Sequence, residues 1–201
     1  MQTTMKKIIF ATSNEGKMIE IREILNGLDI ELLSLKDAGL NPDIVENGET
    51  FEANSIIKAK TVMELTGEIV LADDSGLEVD FMDKAPGVYS ARFMGEDTSY
   101  DIKNQYIIDQ LAKASEEERS ARFVCVIACA FPTGEVVTRR ATIEGYIAKE
   151  ICGENGFGYD PIFYVPEYQC TTAQMKPEQK NEISHRGKAL RAIREEIIHH
   201  L

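Results

Sequence analysis

The chain has 201 residues, 43% of them hydrophobic, and a net charge of −12, which gives it enough apolar content to bury a core of its own. The acidic balance and the lack of a basic cluster argue against a nucleic-acid partner. No apolar run reaches the roughly 18 residues that a membrane span needs, so no membrane partner is expected either.

The start, Met1 to Lys7, leads only into the short apolar run Ile8 to Ala11. That is too little for a secretory leader, and a cytoplasmic location is expected. Cys125, Cys129, Cys152 and Cys170 show neither C-x-x-C nor zinc spacing, which predicts reduced thiols, the first two inside a core strand.

In chain order, Lys7 to Thr12 reads as a buried strand. Gly16 to Asn26 reads as a helix with Met18, Ile21, Leu25 and Leu28 on one face and Glu20, Arg22 and Glu23 outward. Between them stands Thr12-Ser13-Asn14-Glu15-Gly16-Lys17. A helix N-terminus offers unpaired N–H groups and a positive dipole end, which favour phosphate. A capped turn with a surface lysine accounts for the same residues, and the loop is not a Walker A motif.

Ile30 to Leu35 is a second strand, Lys36 to Glu49 a polar loop, and Thr50 the cap of a helix that runs to Leu65 and ends near Gly67. Glu46 in the loop, and Glu52, Asn54 and Lys58 in the helix, place acids and a base together. Loop carboxylates suit a hard cation such as Mg²⁺, although acids at a helix start also complement its dipole.

Glu68 to Leu71 reads as a buried strand that ends in Asp73-Asp74, followed by a Ser75-Gly76 turn. Alternation sends the two carboxylates to opposite faces. One is then expected to face a ligand cleft while the other turns back to brace the loop.

Thr98 to Ala114 reads as a helix. Arg122 to Phe131 is apolar enough for a strand covered on both faces, and Pro132-Thr133-Gly134 turns it into a second strand, Val136 to Ile147. In Gly153 to Pro161, three glycines frame Phe157, Tyr159 and Asp160, a shelf suited to a flat ring. Ser184-His185-Arg186-Gly187-Lys188, with Lys180 upstream, supplies donors for carbonyl or phosphate oxygens. A last helix begins near Gly187, with Leu190, Ile193, Ile197 and Leu201 on one face and His199-His200 solvated. Strands alternating with helices and then a hairpin predict an α/β fold with a mixed sheet, in one domain of two lobes over residues 1–201.

The set SNEGK, ENGETFEANSIIKAK, ADDSGLEVD, PGVYSARFMGE, GENGFGYDPIF and EQKNEISHRGKAL resembles the inosine triphosphate pyrophosphatase (Ham1-like) family from about Ile8 to Leu190. The resemblance implies hydrolysis of the deaminated purine nucleotides ITP, dITP and XTP to the monophosphate and pyrophosphate, with Mg²⁺. It also implies an elongated α/β fold with flanking helices around a long mixed sheet, an active site in the cleft between two lobes, and a homodimer.

By the same resemblance, Thr12, Ser13, Asn14, Glu15, Gly16 and Lys17 would hold the triphosphate, with Lys58 near the phosphates. Glu46 would be a metal carboxylate, Asp74 the catalytic base or a second metal ligand, and Ser75 a substrate contact. Phe157 would stack on the purine, with Gly158, Tyr159 and Asp160 completing the pocket. Lys180, His185 and Arg186 would contact base or phosphates. Two departures are visible: Ala53 stands where an acid is common, and Tyr159 where some members have Trp.

Overall fold

The computed structural model describes residues 5–200. Seven strands form one sheet in the order β2-β1-β3-β4-β5-β6-β7. β1 (Lys6–Phe10) lies between β2 (Ile30–Ser34) and β3 (Ile69–Val79) and is parallel to both. The parallel connections are made by α1 (Glu15–Ile24) and α2 (Phe51–Thr66), as crossover geometry requires. β4 (Ser120–Ala130) and β5 (Val136–Ile147) form the expected hairpin, closed where Phe131 N donates to Glu135 O at 2.9 Å. β6 (Phe163–Val165) and β7 (Cys170–Thr171) add antiparallel pairings, so the sheet is mixed.

The chain divides into two compact units. One comprises residues 1–74, 125–141 and 186–201, the other 75–124 and 142–185. The first unit buries Ile8, Phe10, Met18, Ile21, Leu71, Ile127, Leu190, Ile193 and Ile197 in one cluster. A second cluster lies under α2 around Ala59, Val62 and Val70. The other unit packs α3 (Tyr100–Gln110) through Ile107 against Leu77, Val79, Phe123, Ile162 and Phe163.

Local chemistry sets the ends of α2. Thr50 Oγ1 accepts the N–H of Ala53 at 3.1 Å, and Gly67, in the left-handed conformation, returns its N–H to Met63 O at 2.8 Å. All four cysteines are free. Cys125 and Cys129 are buried, and burial pushes both thiols up to about 12, which makes them inert.

Four expectations are corrected. No turn follows Asp74: β3 continues through Ser75 and Gly76 to Val79, because Leu77 and Val79 are core residues and Ser90 Oγ accepts the N–H of Leu77 at 2.9 Å. Glu20 points inward and is buried, because Arg186 meets it. His200 is not simply solvated, since its ring stacks on Phe131 at 3.8 Å. The tail also carries two helices, α4 (Pro177–Ile183) and α5 (His185–His200), where one was expected. Leu201 lies outside the described residues.

Candidate active site

The first unit gathers two connected sets of charges around Asp73 and Asp74. Asp73 is 1% exposed. Lys17 Nζ approaches its Oδ1 and Oδ2 at 3.1 and 3.0 Å, and Arg186 Nε approaches Oδ2 at 3.3 Å. Arg186 also donates through Nη1 to Glu20 Oε2 at 2.5 Å. Burial alone would raise the Asp73 pKa. The charges of Lys17, Arg186 and Lys58 overcome it and hold the carboxyl well below its usual range.

Asp74 faces a different set. Lys58 Nζ stands 3.9 Å from its Oδ1 and 3.1 Å from Glu46 Oε2. Burial raises the Asp74 pKa. Lys58 and Asn54 pull it back, the charges of Glu46 and Asp73 add to the rise, and the result is about 6. Oδ2 of Asp74 is buried without a hydrogen-bond partner. Burial pulls the Lys58 pKa down, but the carboxylates of Asp73, Asp74 and Glu46 outweigh it and hold the ammonium above its usual value.

At the start of α1, Asn14 is the cap, its Oδ1 accepting the N–H of Lys17 at 3.1 Å, while Thr12 Oγ1 accepts the N–H of Asn14 at 3.1 Å. Ser13, Asn14 and Glu15 are exposed and Gly16 half-buried. Glu15 stands 3.9 Å from Lys36. The loop therefore offers backbone N–H groups and a lysine at one helix N-terminus, the arrangement that takes phosphate.

The second unit builds an aromatic shelf. Asp160 is buried and central to it. Its Oδ2 accepts the N–H of Phe157 at 2.8 Å and Lys180 Nζ at 2.7 Å, and its Oδ1 accepts Thr172 Oγ1 at 2.7 Å. A Cβ on Gly156 would stand 2.2 Å from Asp160 Oδ2, so glycine is required there. Lys180 Nζ lies 4.8 Å over the half-buried ring of Phe157. Asn104 Nδ2 donates to Gly158 O at 3.1 Å. Tyr159 is buried and spends its hydroxyl on Ser90 O at 2.6 Å. His185 stacks on Phe123 at 4.9 Å, and Ser75 is half-buried on β3.

The structure thus brings Thr12 to Lys17, Glu46, Lys58, Asp74 and Arg186 into one unit, and Ser75, Phe157 to Asp160, Lys180 and His185 into the other. Glu52 stands apart from the carboxylate pair, bonded to Arg140 at 2.8 Å. One partner in the Asp73 set, the second carboxylate on Arg186, is not evident in sequence. Glu20 carries no local signal of burial. Asn54, named in sequence, ties the preceding loop to α2 by accepting the Gly48 N–H at 2.8 Å.

The donor set fits a magnesium ion. Asp74 presents a buried oxygen without a protein partner, and Glu46 shares Lys58 with it. No group of three or more His, Cys, Asp or Glu side chains among the described residues could form a metal cage. Mg²⁺ is commonly held by one or two carboxylates together with substrate phosphates.

A sequence model of the Ham1 family matches residues 8–196. A protein of Bacillus licheniformis named dITP/XTP pyrophosphatase is 46% identical over 190 residues, 94% of this chain and 96% of its own length. One of the same name from Clostridium perfringens is 43% identical, with 96% and 98% covered. Among solved structures, a HAM1 protein from Coxiella burnetii superposes with a TM-score of 0.88 at 41% identity, covering 97% of this chain and all of the other. The Staphylococcus aureus Ham1 protein gives 0.87 at 38% identity, covering 98% and 100%.

Proposed function

Because this chain belongs to the Ham1 family, we propose that it hydrolyses the purine nucleoside triphosphates ITP, dITP and XTP to the monophosphate and pyrophosphate, removing deaminated nucleotides from the pool. The observation that carries the reading is Asp74, a buried carboxylate with one unpartnered oxygen, set beside Lys58 and Glu46.

In this reading the N–H groups at the start of α1, with Lys17 and Lys58, hold the phosphates. Glu15 contributes its backbone, since its carboxylate would repel the ligand. An ordinary carboxylate, near pKa ~4, is a poor base at neutral pH. Asp74, raised to about 6 by burial before any metal binds, is the carboxylate with a free oxygen that would take the proton of the water attacking the α-phosphorus. Glu46 and Asp74 would hold magnesium, which when bound neutralises phosphate oxygens.

Phe157 stacks on the purine. Lys180 and His185 are the donors for the carbonyl at its 6-position, and an adenine, with an amine there, would leave them unpaired. Ser75, Gly158 and Tyr159 line the base side, Tyr159 through packing. Arg186, spent on Asp73 and Glu20, positions the phosphate lysine and does not read the base. The family resemblance supports a homodimer, and the four free thiols fit a reducing cytoplasm.

Product analysis tests the reaction. With dITP and Mg²⁺ the chain yields dIMP and pyrophosphate. Release of dIDP and inorganic phosphate would refute it.

A further inference from the structure

Asn104 lies on α3 and is 1% exposed. It reaches a loop 54 residues further along the chain, where its Nδ2 donates to Gly158 O at 3.1 Å. Gly158 directly follows Phe157 and takes the left-handed conformation, with φ of 66°. One turn back on α3, Tyr100 meets Tyr159 edge-on, ring centroids 5.2 Å apart. Tyr159 donates its hydroxyl to Ser90 O at 2.6 Å, and Lys103 Nζ donates to Ala91 O at 2.8 Å. Helix α3, the Ser90-Ala91 segment and the loop from Phe157 to Tyr159 therefore brace one another, and the Asn104 amide bonds the helix directly to the loop.

Stability alone does not call for an amide at this position. Asn104 Oδ1 is buried without a hydrogen-bond partner, a cost that an apolar side chain would not carry. What the amide adds is a donor for a backbone carbonyl in the base shelf.

We propose that Asn104 is a positioning residue for base recognition: it fixes the Gly158 carbonyl and, through it, the way Phe157 is presented to the purine. The proposal rests on Phe157 stacking on the base. A buried asparagine that only stabilises its unit would weaken every ligand alike. One that acts through the loop weakens only ligands that carry a base, and its effect disappears once Phe157 is gone.

The test uses the full chain with Mg²⁺, in the variants N104A, N104S, F157A and F157A/N104A. Neither alanine nor the short serine hydroxyl replaces the amide donor to Gly158 O. Calorimetry reads Kd for two probes, the non-hydrolysable α,β-imido analogue of dITP and inorganic triphosphate, which has no base. Both Asn104 variants should raise the Kd of the analogue about 3- to 10-fold, the worth of one hydrogen bond, and leave that of triphosphate within about twofold. In steady-state kinetics with dITP, KM should move more than kcat. In the F157A background, N104A should raise the Kd of the analogue by less than about twofold more.

An equal rise for both probes, a full-sized additional rise in the F157A background, or a wild-type Kd for the analogue in N104S overturns the proposal and leaves the stacking role of Phe157 intact. Wild-type binding of the analogue by F157A overturns both. Thermal melts accompany every variant, and N104S carries the test if N104A does not fold.

Discussion

Asp73 and Asp74 are consecutive on β3, yet their carboxylates have different partners: Lys17 and Arg186 hold Asp73, while Lys58 faces Asp74. Strand alternation separates the two side chains. Separate surroundings then drive their pKa values apart, one below the carboxylate range and the other to about 6. In the proposed reading that divergence assigns structural work to Asp73 and chemical work to Asp74.

Asp73→Asn should therefore destabilise the chain. It leaves buried Arg186 and the partly buried Lys17 short of a counter-charge, a loss of about 3–5 kcal/mol for a broken buried pair. A chemical denaturation curve should show the lower midpoint. Asp74→Asn should keep the fold and lower kcat by at least about 100-fold, with the Kd of a non-hydrolysable analogue within about threefold of wild type.

The two acids also respond to pH with opposite signs. The folded Asp74 pKa of about 6 lies above its unfolded value, so between about pH 6 and pH 4 the folded chain holds a proton that the unfolded chain releases. Stability from this group rises as pH falls through that window. Above it the ionised carboxylate costs at most about 3 kcal/mol. Asp74→Asn should thus melt higher than wild type at pH 8, with the gap closing by pH 4. Asp73, depressed on folding, stabilises above about pH 4 and loses that contribution only below it.

Phe157 offers a separate handle on the base. Phe157→Ala should raise the KM for dITP about tenfold with kcat little changed, since base–aromatic stacking is worth about 1–3 kcal/mol, and Phe157→Tyr should restore most of it. An equal loss for dITP and for inorganic triphosphate, which has no base, would remove Phe157 from base recognition.

The shelf itself depends on Asp160. Asp160→Asn keeps a hydrogen-bond acceptor for Phe157 N but removes the counter-charge of buried Lys180. The expected result is a lower melting temperature together with a raised KM, read by calorimetry and steady-state kinetics.

Local chemistry made much of this legible. Thr50 and Gly67 announce the ends of α2, and the spacing of Met18, Ile21, Leu25, Ile193 and Ile197 announces two buried helix faces. The alternation at Asp73-Asp74 told the two acids apart. What the sequence hid depends on distant residues. Glu20 reads as an exposed helix acid, and only Arg186, far along the chain, makes its burial tolerable. Arg186 reads as a ligand donor in sequence, and its buried ion pairs with Asp73 and Glu20 come only with the fold. Ser75-Gly76 reads as a turn, but Ser90 and the core under Leu77 carry the strand onward. β6 and β7, three and two residues long, are too short to show a period.

The central claim is hydrolysis of deaminated purine nucleoside triphosphates, and pyrophosphate release across a nucleotide panel tests it most directly. The panel comprises dITP, ITP, XTP, ATP, GTP, UTP and dTTP, each with Mg²⁺ and with chelator. The account predicts rapid pyrophosphate release from dITP, ITP and XTP, turnover of ATP lower by about 100-fold or more, and loss of activity in chelator. Equal rates on ATP and dITP, or a preference for UTP or dTTP, would contradict it.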